Sequence, residues 1–206
     1  MNIPEVEQCF ELMDRYGMLP NIREHSVMVA LVAWKLVEEL ELHTVARPYL
    51  PDKKLVVTAA LLHDIAKTHC LADDCDHAEV GGEILRDHGF DELAEIAEEH
   101  VVLKSHDSTR YQRGCFWAKD IVYYADKRVL HEKVVSLDDR LVYIVERYGR
   151  RDERLHELIR RNFAKCVSLE EFLFSFISYS PDFLSQKIRN PGNGVSFSSL
   201  FDDFIF

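Results

Sequence analysis

The chain has 206 residues, 47% of them hydrophobic and 30% charged, with a formal net charge of -11. That length suits one domain with a sizeable core, and the composition is that of an ordinary soluble protein. The acidic balance argues against a dedicated polyanion surface, because nucleic-acid binders carry a basic footprint, so no nucleic-acid polymer is expected as a partner.

Small anionic substrates stay open, since a local metal or lysine outweighs a mildly hostile global field. Five cysteines (Cys9, Cys70, Cys75, Cys115, Cys166) are an odd, scattered set in a chain too large to need disulfides. They predict reduced thiols and a cytoplasmic location. Met1 to Gln8 is acidic and lacks a signal pattern. No uncharged apolar run approaches membrane-spanning length, so no membrane is expected.

In chain order, Pro4 starts a helix through Val6, Phe10 and Met13, which Gly17 ends. Asn21-Ile22-Arg23-Glu24 predicts a capping box and a helix to about Leu42, with His25 on the same face as Ile22, Val29 and Val32. A lone histidine on such a face is more often a hydrogen-bonded core residue than a ligand. Pro48 and Pro51 bracket a loop, and Asp52 caps a helix from Lys53 to about Ala66.

That helix is apolar and closes on His63, Asp64 and Lys67. A histidine and a carboxylate there are costly to bury unless something neutralises them. A metal ion does so, because neutral imidazole and carboxylate are both good ligands. His69 to Asp76 is polar and predicted irregular. His69, Cys70, Cys75 and His77 have no zinc-knuckle spacing and no second cysteine pair follows, so structural zinc is set aside.

Asp76 caps a helix from His77, in which Gly81-Gly82 predicts close approach of another backbone, and Gly89 ends it. Asp91 starts a helix through Ile96 to His100. Ser105 to Gly114 reads as a loop, and a core helix from about Phe116 to Leu130 contains Asp126 beside Lys127-Arg128. A buried carboxylate needs a metal or a cation. Ser136 caps a helix from Leu137 to Tyr148, ended by Gly149. Asp152 to Ala164 is a charged helix, and Ser168-Leu169-Glu170-Glu171 predicts a separate capped helix. No strand pattern or repeat is present. The expectation is an all-α, single-domain helical bundle of eight or nine helices.

The order His25 … His63-Asp64 … Asp126, with His63-Asp64-Ile65-Ala66-Lys67 at its centre, resembles the HD-domain superfamily of metal-dependent phosphohydrolases, in its HDIG-type subgroup. Ala66 stands where that subgroup has glycine, which affects a helix end more than the ligands. The resemblance extends from Glu24-His25-Ser26 through His77 to Leu85, His100 and Ala125-Asp126-Lys127, covering about residues 21 to 130. It implies that His25, His63, Asp64 and Asp126 hold one metal. His77 and His100 match the extra histidines of some subgroups and would complete a second, with Asp64 bridging.

The implied cofactor is one or two divalent ions per chain (Fe, Mn, Co, Ni, Mg or Zn). Residues 1–20 would supply an N-terminal helix of the same domain, 21–150 the HD metal-binding core, 151–190 C-terminal helices and 191–206 a tail. The implied activity is phosphohydrolysis of a nucleotide or other small phosphorylated metabolite, dinucleoside polyphosphates included. Divalent ions activate water for such chemistry, Asp64 bridges them, and Lys67 is the residue placed to stabilise phosphoryl charge.

Arg23, Lys127, Arg128 and Arg140 are further candidates for phosphate contact, each individually more ordinary as solvated surface charge. Two alternatives share the ligands: a di-iron oxygenase of the HD type, and a non-catalytic regulatory module. His43, His69, His88, His106 and His131 have no matched role. A homodimer is left open.

Overall fold

A computed structural model describes residues 2–42 and 50–188. The expectations for His43, Pro48 and the 191–206 tail fall outside the described residues. The elements are α1 (Val6–Arg15), α2 (Pro20–Leu42), α3 (Lys53–Leu62), α4 (Lys67–Asp73), α5 (His77–Asp87), α6 (Asp91–Glu99), α7 (Ser108–Gln112) and α8 (Ala118–Lys127). A hairpin of β1 (Val129–Leu130) and β2 (Lys133–Val134) follows, then α9 (Leu137–Tyr148), α10 (Glu153–Phe174), a 3-10 turn at Pro181–Phe183 and α11 (Leu184–Lys187). The fold is all-α, as expected.

α2 is the axis. It is apolar almost all round, and Val27 to Ala33, with Leu36, Val37 and Leu40, are buried. A helix without a polar face is stable only when surrounded. α3 covers it most extensively, α8 lies against α2, α3 and α6, and α5 pairs with α6. Side-chain caps set several starts. Asp52 accepts from Leu55 N at 2.8 Å, Asp76 from Ala78 N at 2.9 Å, and Ser136 from Asp139 N at 3.1 Å.

Several expectations are corrected. α2 begins one residue before the proposed cap, at Pro20, whose fixed φ suits a first helical position and whose missing N–H costs nothing there. Asn21 is therefore inside the helix. The 53–66 helix stops at Leu62, and four turn residues carry His63 and Asp64 before α4 begins. α4 takes in residues 69–73 of the 69–76 stretch whose polar composition predicted irregular chain. α10 runs through Ser168 without a break, because Phe163, Cys166, Leu169 and Leu173 keep one buried stripe. These splits and short turns raise the count to eleven α-helices among the described residues.

Cys70 and Cys75 form a disulfide, against the expectation of free thiols; Cys9, Cys115 and Cys166 are free. Asp74, at φ 49°, ends α4 in the left-handed conformation and folds the chain back, so the two Cα atoms lie 4.7 Å apart. That pair removes the cysteine argument for a reducing compartment. The stretch Lys53–Asp73 does reach membrane-spanning length and apolarity by composition. However, 67% of its most apolar window is buried inside the fold, which is the behaviour of a core segment.

Gly81 packs on Ile65 and Ala66 at ordinary distances. Gly82 makes room for a side chain rather than a backbone. A Cβ there would lie 2.5 Å from Glu98 Oε1, and Glu98 forms a bidentate pair with Arg86.

Candidate metal centre

The polar residues of the apolar helices gather at helix ends. His25 is in the second turn of α2, His63 and Asp64 lie in the break after α3, and His77 opens α5 behind its Asp76 cap. His100 caps the end of α6, and Asp126 lies in the last turn of α8. Because α2, α3, α6 and α8 share one core, these ends converge. Two clusters result: His25, His63 and Asp64, and Asp64, His77 and His100. In each, the donor atoms lie within 4.8 Å of one another, and Asp64 belongs to both.

The hydrogen bonds decide what these rings can hold. His63 Nδ1 faces Ala60 O at 2.6 Å, His100 Nδ1 faces Ala97 O at 2.5 Å, and His25 Nδ1 faces His131 O at 3.1 Å. A carbonyl only accepts, so each Nδ1 donates and a neutral ring presents a lone pair on Nε2. Yet those Nε2 atoms face carboxylates, which also only accept. His25 Nε2 is 3.0 Å from Asp126 Oδ1, and His100 Nε2 and His77 Nε2 are each 3.3 Å from Asp64 Oδ1.

Lone pair against lone pair is repulsive unless the rings carry extra protons or a cation lies among them. His63 is the sharpest case. Burial holds its imidazole neutral, with the pKa lowered to about 3, and its Nε2 has no hydrogen-bond partner. Asp64 Oδ1 is likewise buried and unpartnered. Neutral imidazoles with fixed tautomers, aimed with carboxylates at a common point, are the donor set a divalent ion takes. These residues fit such an ion.

Both carboxylates are held ionised. Burial works to raise each pKa, but adjacent cations prevail: Lys67 at Asp64, and Lys127 with Arg140 at Asp126. Both lie well below the usual carboxylate range. Lys67 is opposed by burial in turn, yet Asp64 and Asp126 raise its pKa, so it stays an ammonium.

The five cations proposed to meet the phosphoryl group separate. Lys67 Nζ reaches Asp64 Oδ2 at 2.6 Å with 27% of its side chain exposed, and it lines a cavity of about 160 Å³ with His25, Asp64 and Arg140. Arg140 is buried, its Nη2 3.5 Å from Asp126 Oδ1, and its Nε has no partner. Arg23 pairs with Asp14 and is not among the cavity-lining residues.

Arg128 is held by Glu170, Tyr124 Oη and the carbonyls of Val135 and Pro181 and does not line the cavity, so it is not carried forward as a phosphate contact. Lys127 is buried between Asp126 Oδ2 at 2.6 Å and His100 O at 2.8 Å, so it too leaves that role. It fixes one carboxylate oxygen and leaves Oδ1 facing His25. Substituting Lys127 by methionine should weaken metal binding about 10- to 100-fold, measured by chelator competition, whereas Arg128→Met should leave that affinity unchanged. Equal affinities in wild type and Lys127→Met would remove the role given to Lys127.

Among the histidines without a matched role, His131 proves part of the site. It sits in the β1–β2 turn at φ 57°, gives its carbonyl to His25, and lines the cavity. Tyr143, Arg147 and Tyr148 line it too and were not singled out from the sequence. The available signal was the i, i+3, i+7 spacing of Arg140, Tyr143 and Arg147 on α9. His106 faces Tyr111, His88 pairs with Tyr16 Oη, and His69 with Asp73, none of them at the cavity.

The family model described as HD domain matches residues 22–151. An uncharacterized protein of Methanocaldococcus jannaschii is 32% identical over 153 residues, which are 69% of this chain and 86% of that one. Two proteins named tRNA (cytidine(56)-2'-O)-methyltransferase also match. The Thermoplasma volcanium one is 34% identical over 100 residues, 48% of this chain and 26% of its own length. The Picrophilus torridus one is 29% identical over 141 residues, 68% and 37% respectively. The chain thus corresponds to only a minor part of either methyltransferase. No solved structure matches. Every residue of the two clusters falls inside the matched span, and the chain belongs to the HD domain family.

Proposed function

We propose that the chain is a metal-dependent phosphohydrolase acting on a small phosphorylated metabolite. The observation that carries this reading is Arg140: a buried guanidinium with an unfilled Nε donor, beside the paired clusters and lining the same cavity as Lys67. An arginine donor without a partner in a buried place costs stability unless an anion meets it. A phosphoryl group does so in a geometry that guanidinium matches.

Divalent ions held by the two clusters would polarise a phosphoryl oxygen and lower the pKa of a water near it. Around that chemistry the chain's own residues have distinct tasks. Lys67 and Arg140 offset the charge that accumulates on the phosphoryl oxygens. Asp64 and Asp126, held ionised, would supply the anionic donors to those ions. The carbonyls of Ala60, Ala97 and His131 fix each tautomer. The burial of His25, His63, Asp64, Asp126 and Arg140 strengthens the interactions among them.

Phosphate release is the test, run on the full chain loaded in turn with manganese, cobalt, nickel, magnesium and iron, against nucleotides, sugar phosphates and dinucleoside polyphosphates. Metal-dependent release from at least one of these is expected. Oxygen uptake by the iron form without phosphate release would replace this reading with the oxygenase one. Metal binding with no turnover of either kind would favour a regulatory module. Lys67→Ala should retain its metal but lose roughly a hundredfold or more in kcat, the scale for removing one charge-stabilising donor. Full activity in that variant would take Lys67 out of the chemistry.

A further inference from the structure

The cavity beside the metal ligands has a second cationic end. Arg140, Tyr143 and Arg147 follow at i, i+3 and i+7 on α9, so they share one face, and all three line the cavity together with Tyr148. Arg140 marks the inner end, near Asp126. Arg147 lies two turns further along the helix, a rise of roughly 10 Å. It is exposed and has no ion pair or hydrogen bond among the described residues. This sets it apart from Arg23 and Arg128, which have strong partners.

Size narrows the ligand. The cavity volume of about 160 Å³ is close to that of a pocket enclosing one benzene. It holds a phosphoryl group and a few carbons, and opens to solvent beside Leu71 and Tyr148, both exposed. A ligand whose phosphoryl group meets Lys67 and Arg140 therefore brings its other end to the rim, where the exposed Arg147 and Tyr148 are. Two arginines at opposite ends, with Tyr143 between them, suit a short molecule that is anionic at both ends.

We propose that Arg147 determines specificity for the far end of the substrate, and that the substrate is a compact two-anion metabolite: a phosphate ester of a short polyol or sugar bearing a second phosphate or carboxylate. The fate of the phosphoryl group rests on the phosphohydrolase reading, whereas the recognition of two anions does not. The tyrosines contribute hydroxyl donors and ring faces for the carbons between the anions.

The test is equilibrium binding to the manganese-loaded full chain by titration calorimetry. The probes are pentylphosphonate and pentane-1,5-bisphosphonate, which share a carbon chain, resist hydrolysis and differ in the second anion. Wild type should bind the bisphosphonate about tenfold more tightly, the scale of one charge-assisted contact at a partly exposed site. Arg147→Gln should bind both probes equally.

Arg150→Gln is the control, because it removes the same charge from the exposed turn after α9, outside the cavity, and it should keep the tenfold preference. Equal binding of the two probes by wild type, binding of neither, or a preference retained in Arg147→Gln would overturn the proposal. A preference that follows Arg147 in a protein that hydrolyses no phosphate ester would retire the phosphohydrolase reading and leave the two-anion site standing.

Discussion

Asp64→Ala should strip the protein of tightly bound metal. Asp64 belongs to both donor clusters, so one substitution breaks each of them. Its side chain is fully buried, with Oδ1 3.3 Å from the Nε2 atoms of His77 and His100, and with Lys67 on Oδ2. After the change, His77 and His100 are two neutral donors without a charge, too few to retain an ion through dialysis. His25, His63 and Asp126 keep only a weakened set. Plasma mass spectrometry on purified protein should show about two ions per chain in wild type, about one in His77→Ala/His100→Ala, and close to none in Asp64→Ala.

Melting gives a second readout of the same change. An ion bound only to the folded state, present at a hundred times its dissociation constant, stabilises by about 2.7 kcal/mol. In a chain of this size that raises Tm by several degrees. Asp64→Ala should lose that metal-dependent rise, and the double histidine variant should keep part of it. The metal-free melting point should change less, because Lys67 is part-exposed and can swing into solvent when its carboxylate partner goes. Full metal content in Asp64→Ala would refute the shared-vertex geometry.

Of the clustered residues, His63, Asp64 and Asp126 were legible because a histidine or carboxylate within an apolar helix is conspicuous, whereas His25, His77 and His100 were singled out through the resemblance to the HD-domain superfamily. His63-Asp64 interrupts a greasy run and Asp126 interrupts another, so residue chemistry alone demands a neutralising partner for each. The caps at Asp52, Asp76 and Ser136 were legible for a similarly local reason: the capping hydrogen bond closes within three residues. Lys127 and Arg128 were not separable. Neighbours on a helix project about 100° apart, so one reaches Asp126 and the other reaches Glu170 across the bundle, and only the packing of α8 decides which.

The site's other parts depend on still longer contacts. His131 enters through a hairpin with two residues in each strand, too short for any alternation to show. Arg147 was not singled out in the sequence, and its membership of the cavity follows from how α9 packs beside it. The Cys70–Cys75 pair required knowing that Asp74 turns left-handed. Local chemistry could be read from residue order; the shape of the pocket could not.

The largest stability effect should come from Asp120→Ala, away from the metal. Asp120 is fully buried at the start of α8 and accepts four hydrogen bonds: from Arg110 Nη1 at 2.6 Å and Nη2 at 3.1 Å, Tyr111 Oη at 2.8 Å, and Trp117 N at 2.7 Å. The last of these caps the helix that carries Asp126. Arg110 is nearly enclosed, with its guanidinium 3.9 Å from the Trp117 ring centroid, so it cannot easily regain water. Removing the carboxylate leaves a buried cation, a buried phenol and a helix N–H without their acceptor.

Breaking a buried pair from one side costs about 3–5 kcal/mol, which is roughly 10 °C in Tm for a chain of this size. Arg110→Met/Asp120→Leu should recover most of that loss, because it removes both charges and fills the space with apolar atoms. Metal content of the folded Asp120→Ala protein, measured well below its Tm, should match wild type, since Asp126 lies at the other end of α8 and has its own partners. A loss under about 1 kcal/mol would mean that Arg110 escapes to solvent. A double variant no better than Asp120→Ala would place the cost in the lost cap of α8 rather than in the stranded charge.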